Sequence, residues 1–319
     1  MKIFDIYKIQ GVYKVKRKVI QIANSTQLIS LPRKWSIKYG VKKGDEIEVE
    51  EQGNSIVLMT ENSNKSEYKE IDSEKFGLML PRTIFALYKQ GVDELKINFN
   101  DRAMLKIIQD SLGKEMVGYE IIDQGQNYCS IKNVSGNLED FGVVLRRTFL
   151  LLINMANESF QNIKKQDFDH LKSVAFLEES NNRFTTSCRR LLNKKGTKDY
   201  KYLGPLYYII EEMENIADQY KYLCNALHKF KGKKVKINEE VLNIYERTNR
   251  MLNTFYELFY KFDEKKVAEI GNERKFIVEK GLELFEKKLS NIDYLMLHYQ
   301  LTIMQKIFCL IGPYLVLTL

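Results

Sequence analysis

The sequence predicts a mainly α protein: a small all-β domain at the N-terminus, a small α/β unit in the middle, and a C-terminal six-helix bundle. Three observations predict it. Apolar residues alternate with period two between positions 13 and 59 and recur with period 3.6 from 138 onward. The composition, 44% hydrophobic with only 4 prolines in 319 residues, suits long helices around packed cores.

In the first segment, KVIQIA, QLISL, EIEVEE and SIVLM read as strands, separated by the turn signals Ala-Asn-Ser-Thr, Lys-Lys-Gly-Asp and Gln-Gly-Asn-Ser. Residues 32–39 have room for one or two helical turns. Four short strands bury too little apolar surface for a stable monomer, so dimerisation is expected to complete this core. Residues 61–74 are polar, lack aliphatic clusters and read as a linker.

Over 75–136 the pattern gives a helix at 81–90, a strand at 94–99, a helix at 101–112 and strands at 117–123 and 128–134. Asp101 is the expected N-cap and Gly113 the expected stop of the second helix. With no Gly-rich phosphate loop and no catalytic pairing, this unit reads as a packing or dimerisation module. From 137 to 319 the breaks divide the chain into helices at 138–165, 167–194, 200–230, 238–262, 264–289 and 292–317, or two three-helix blocks packed up and down.

Charge is unevenly spread. Residues 1–60 hold 11 basic and 6 acidic side chains, so they carry +5 of the formal +8. Every Lys, Arg, Asp or Glu from 14 to 43 is basic: Lys14, Lys16, Arg17, Lys18, Arg33, Lys34, Lys38, Lys42 and Lys43. Together with the polar loop Asn24, Ser25 and Thr26, these cations suit double-stranded DNA, with phosphates supplying affinity and loop side chains reading bases. The alternative is a solvated face neutralised by the acidic stretch 45–51.

The four cysteines, Cys129, Cys188, Cys224 and Cys309, form no CxxC pair, which disfavours a zinc knuckle or disulfide framework. The first 25 residues contain no apolar signal core, so a cytoplasmic protein is expected. The apolar run 303–319 is short and contains Lys306 and Pro313; it reads as a bundle helix, with membrane insertion not expected. His170, His228 and His298 are isolated, and with no nucleophile–base motif the chain is not expected to be an enzyme.

The stretch RKVIQIANSTQLISLPRKWSIKYGVKKGDEIEV, through Leu31-Pro32-Arg33-Lys34-Trp35, Gly40-Val41 and Gly44-Asp45-Glu46, resembles the swapped-hairpin DNA-binding domains of the AbrB, MazE and SpoVT type. The resemblance implies an obligate homodimer of interleaved hairpins that binds DNA, and a fold that also serves antitoxins. The loop that commonly carries glycines reads Ala23-Asn24-Ser25-Thr26 here.

In the third bundle helix, Leu206, Ile209, Ile210, Met213, Ile216, Ala217, Tyr220, Cys224 and Leu227 make the buried stripe, and Glu211, Glu214 and Asp218 share its flank. Carboxylates one turn apart can ligate a hard cation if neighbouring helices add oxygens; otherwise they are an ordinary acidic surface. Glu214-Asn-Ile-Ala-Asp218, preceded by the acidic pair Glu178-Glu179 on the helix before it, resembles the metal-binding motifs of the PhoU phosphate-uptake regulators. That resemblance implies a divalent or ferric ion held by Glu178, Glu211, Glu214 and Asp218. It departs where Asn182 replaces a carboxylate, and the final helix has no acidic motif.

Joined, the two resemblances are those of archaeal-type phosphate uptake regulators. They imply a DNA-binding transcriptional regulator of phosphate uptake or response with a sensing or docking bundle. The alternative is an adaptor that does not bind DNA and docks on a phosphate transporter or signalling protein.

Overall fold

The computed structural model describes residues 15–22, 26–52, 55–60, 66–135, 140–197 and 199–319. Lys14, Asn24 and Ser25 lie outside them. The chain divides into two units, 1–65 and 66–319.

The first unit holds two antiparallel hairpins and a short helix. β1 (Ile20–Ile22) pairs with β2 (Thr26–Leu28), Ile20 opposite Leu28. α1 (Arg33–Tyr39) follows Pro32, whose fixed φ suits a helix entry, and ends at Gly40 in the left-handed conformation at φ 69°. β3 (Ile47–Gln52) pairs with β4 (Ser55–Thr60). The turn between α1 and β3 is held by the Lys42 amide, which donates to Asp45 Oδ2 at 2.7 Å, and by Gly44 at φ 96°. None of its described residues is buried: Val19 is 62% exposed, Ile37 70% and Ile56 66%. Hairpins this small are marginal alone, and a single chain leaves their apolar faces in water.

The second unit begins with a four-stranded sheet, order β5-β6-β8-β7, formed by β5 (Tyr68–Asp72), β6 (Glu94–Asn98), β7 (Tyr119–Gln124) and β8 (Tyr128–Asn133). β5 runs parallel to β6 after a crossover through α2 (Leu80–Gln90); the other pairs are antiparallel. The segment expected as a linker is therefore a strand from Tyr68. It hides in the sequence because YKEID, on the sheet edge, keeps polar side chains: Glu70 accepts from Asn98 Nδ2 at 2.7 Å and pairs with Lys96 at 3.2 Å. Leu95, Ile97, Cys129 and Ile131 point inward by period two onto Ile84 and Tyr88 of α2 and Ile108 of α3 (Ala103–Glu115). Asp101 caps α3 through the Ala103 amide at 2.8 Å. Gly113 does not stop the helix, which continues to Glu115. The turn comes at Gly118, where φ is 81° and a Cβ would strike the Ser135 side chain.

The helical part comprises α4 (Phe141–Lys165), α5 (Leu171–Lys195), α6 (Leu203–His228), α7 (Glu239–Tyr260), α8 (Glu264–Phe285), α9 (Asn291–Cys309) and α10 (Ile311–Thr318). The starts of four are fixed by side-chain caps: Asp140 on α4, Asn238 on α7, Asp263 on α8, and a Ser290–Asp293 capping box on α9. The helix expected over 292–317 is divided at Leu310, since Pro313 has no N–H to continue the ladder to residue 309. α4, α5 and α6 pack on one another, as do α7, α8 and α9; α4 meets α7 and α6 meets α9. Polar links cross that seam. Tyr220 donates to Asn249 Oδ1 at 2.8 Å, Asn249 Nδ2 to the Ala156 carbonyl at 2.6 Å, and Tyr245 to Ser159 Oγ at 2.7 Å.

One end of the bundle is tied across its loops. Gln166 adopts φ 60°, unusual for a residue with a Cβ, and closes α4. Its side-chain amide donates to the Val235 carbonyl at 3.0 Å and accepts from the Val235 amide at 3.1 Å. The stretch 291–318 is long and apolar enough to cross a membrane by length and composition, with mean hydropathy 1.6, and α9 within it packs on α6, α7 and α8.

Candidate functional site

Two groups of predicted residues come from different units. In the first, Lys16, Arg17 and Lys18 lie exposed on the extended approach to β1, and Thr26 opens β2, also exposed. α1 presents Arg33, Lys34 and Lys38 to solvent while Trp35 and Tyr39 pack with tilted rings, centroids 5.5 Å apart, on its half-buried side. Lys38 Nζ sits 5.1 Å from the Tyr39 ring. The expected competitor was neutralisation by residues 45–51. Among the described residues no carboxylate pairs with Lys16, Arg17, Lys18, Arg33 or Lys38, and Asp45 spends one oxygen on a backbone amide. A polyanion thus meets charges that need not first be released from intramolecular pairs.

In the second unit, α5 and α6 bring Glu178, Glu211, Glu214 and Asp218 to facing surfaces. They divide into two sets, each with its own cation. The guanidinium of Arg189, fully buried, forks onto Glu211 and Glu214, and Thr185 Oγ1 donates to Glu214 at 2.6 Å. Lys221 bridges Glu178 at 2.8 Å and Asp218 at 2.5 Å, and Asn182 Nδ2 donates to Glu178 at 2.5 Å. Burial pushes the Glu178 carboxyl above its usual range despite Lys221.

These residues do not fit a metal ion. The positive charge that an ion would supply comes from Arg189 and Lys221, and no cluster of three or more Asp, Glu, His or Cys among the described residues is arranged to hold one. Added manganese, zinc or ferric ion is expected to leave the melting midpoint of the intact protein unchanged. A rise that disappears in a Glu214→Ala, Asp218→Ala double variant would restore the metal reading.

Arg189 and Arg190 were not singled out from the sequence. Both are fully buried. The available signal is position: Thr185, Cys188, Arg189 and Leu192 recur with the helical period of a buried stripe, so an arginine there needs a partner on the neighbouring helix. Arg190 faces the α/β unit. It donates to the carbonyls of Tyr88 at 2.8 Å and Val92 at 2.7 Å and to Asp93 Oδ1 at 2.6 Å, with its plane 4.7 Å from the Tyr88 ring. Lys194 reaches Asp93 at 2.5 Å, and Asn193 Nδ2 donates to the Lys89 carbonyl at 2.7 Å. One turn of α5 thereby adds donors to the Tyr88 and Lys89 carbonyls in the last turn of α2 and to the Val92 carbonyl just beyond it. Burial alone would raise the Asp93 carboxyl; the hydrogen bonds from Lys194 and the Glu67 amide, with Arg190 beside it, outweigh that and hold it below its ordinary value.

Residues 20–66 match the family model of the bacterial antitoxin MazE, described as antidote-toxin recognition. The match spans β1 to β4 with α1, so the N-terminal unit contains a swapped-hairpin domain of the MazE/AbrB type. Comparison with curated proteins and with solved structures gives no match.

Proposed function

We propose that the protein is a dimeric DNA-binding regulator whose N-terminal domains grip duplex DNA and whose larger unit is the sensing or docking body. One observation carries this: a domain of MazE/AbrB type presents Lys16, Arg17, Lys18, Arg33 and Lys38 to solvent with no carboxylate among the described residues paired to them. A two-fold dimer doubles that footprint and suits a palindromic site. An adaptor docking on a transporter has no use for these cations. The family description favours a second reading, antitoxin-type regulation, in which the body holds a partner protein.

A finer reading, control of phosphate uptake in the cytoplasm, is supported only by the resemblance of the α5–α6 acidic segments. Recovery of bound DNA from phosphate-rich and phosphate-starved cells tests both levels. Discrete sites support the regulator, and sites whose occupancy follows phosphate support the finer reading. Uniform background in both conditions would overturn the proposal.

The exposed apolar faces of the hairpins give a further expectation. The intact protein should sediment at twice its 37.6 kDa, and the unfolding midpoint of its N-terminal unit should rise with protein concentration. A monomeric mass with a concentration-independent midpoint would exclude the interleaved dimer.

A further inference from the structure

Between α2 and α3 on one side and α5 and α6 on the other lies a cleft of about 580 Å³, within the size range of small-molecule sites. Its walls carry charges of both signs, and several are already matched. Lys221 lies between Glu178 and Asp218, and Glu214 is held by Arg189.

Two are unmatched. Lys89, in the last turn of α2, and Glu115, in the last turn of α3, both line the cleft, and both are only partly exposed. Neither has an ion-pair or side-chain hydrogen-bond partner among the described residues. Burial, with Arg189 nearby, lowers the Lys89 ammonium; burial, with Glu214 nearby, raises the Glu115 carboxyl. Opposite charges act on each only from beyond ion-pair distance: Glu214, Glu211 and Glu115 on Lys89, and Lys89 and Arg189 on Glu115. Asn182, on the α5 wall, adds a buried carboxamide oxygen, Oδ1, that accepts no hydrogen bond.

These three vacancies define a ligand by complement. The ammonium of Lys89 asks for a carboxylate, while the Glu115 carboxylate and Asn182 Oδ1 ask for N–H donors. A simple anion would meet Asp110, Glu115, Glu178, Glu214 and Asp218; a simple polycation would meet Arg82, Lys89 and Lys114. We propose that this cleft binds a small zwitterion of the α-amino-acid class, its carboxylate on Lys89 and its ammonium between Glu115 and Asn182. The site lies wholly within the second unit and is independent of DNA binding.

The test is calorimetry and thermal melting of the intact protein with each standard L-amino acid. A primary alkylamine and a carboxylate of matched side chain serve as single-headed probes. At least one amino acid should bind and raise the melting midpoint. Lys89→Met and Glu115→Gln should each weaken that binding by about tenfold or more. Without ligand, both variants should melt close to the parent temperature, since neither side chain makes a direct ion pair or hydrogen bond among the described residues. Absence of any shift at about 10 mM across the panel would overturn the proposal. So would an amine that binds parent and Lys89→Met as tightly as the best amino acid binds the parent. Loss of DNA binding in a separate assay would leave these outcomes unaffected.

Discussion

Raising monovalent salt from about 50 to about 200 mM should weaken duplex binding by the intact protein roughly a thousandfold or more, if two N-terminal domains each neutralise three or four phosphates. The expectation rests on the exposed Lys16, Arg17, Lys18, Arg33 and Lys38, which no carboxylate among the described residues pairs with and which are close-range partners for phosphate. Arg17→Ala combined with Arg33→Ala should lower affinity and flatten the dependence of log K on log salt, by about 0.9 for each phosphate no longer neutralised. Both positions are exposed, so the double variant should fold as the parent does. Fluorescence anisotropy over a salt series measures both quantities. Equal affinity and equal slope in parent and double variant would show that these arginines do not face the phosphates.

The second large effect lies in the body. Replacing Arg190 with Met takes the guanidinium from Asp93, which keeps Lys194 and the Glu67 amide, and one donor each from the Tyr88 and Val92 carbonyls, a change that costs about 1.5 to 3 kcal/mol, the range for a hydrogen bond to a charged group. Denaturant unfolding should show that loss, and hydrogen exchange should show α2 and β6 opening ahead of the helices. A change within about 0.5 kcal/mol would mean that the α/β unit is held on the bundle without help from the Arg190 guanidinium. The same clamp predicts a direction with pH. Because the folded Asp93 carboxyl lies below its ordinary value, its contribution is fully present above the unfolded pKa of about 3.9 and is lost as pH falls through the folded value. Asp93→Asn should therefore narrow the stability gap between pH 6 and acid solution. Lys194→Met should narrow it as well, since the Lys194 hydrogen bond is the foremost influence lowering that carboxyl.

The sequence made visible whatever depends on local periodicity. Long amphipathic stretches located α4 to α8, and the start of α9, within a few residues, because each helix buries one continuous stripe. Elements decided by distant partners stayed hidden. β5 carries no apolar alternation of its own and becomes a strand through its pairing with β6, while Gly113, a stop by composition, is carried through by the packing of Ile108 and Leu112. The acidic flank of α6 was legible as a flank. That it is neutralised by Arg189 was not, because the two meet only when α5 and α6 pack. The cationic face was the easiest part to read, since a stretch without a single carboxylate needs no tertiary information to be recognised.

The amide of Gln166 also bears on how the bundle comes apart. A side chain that both donates to and accepts from Val235 imitates a strand partner, so the loop after α6 is fastened to the turn after α4 although they are 69 positions apart. His228 Nδ1 lies 3.0 Å from the Phe168 carbonyl, Phe168 and Phe230 pack their rings at 6.3 Å, and the Asn238 amide donates to Asp293 at the start of α9 at 2.9 Å. Fraying normally begins at helix ends, each at its own rate. Here the ends of α4 and α6 and the beginnings of α5, α7 and α9 share one set of fastenings. Opening any one of those five ends therefore disturbs contacts made by the others, which couples the two helical trios at that end of the molecule.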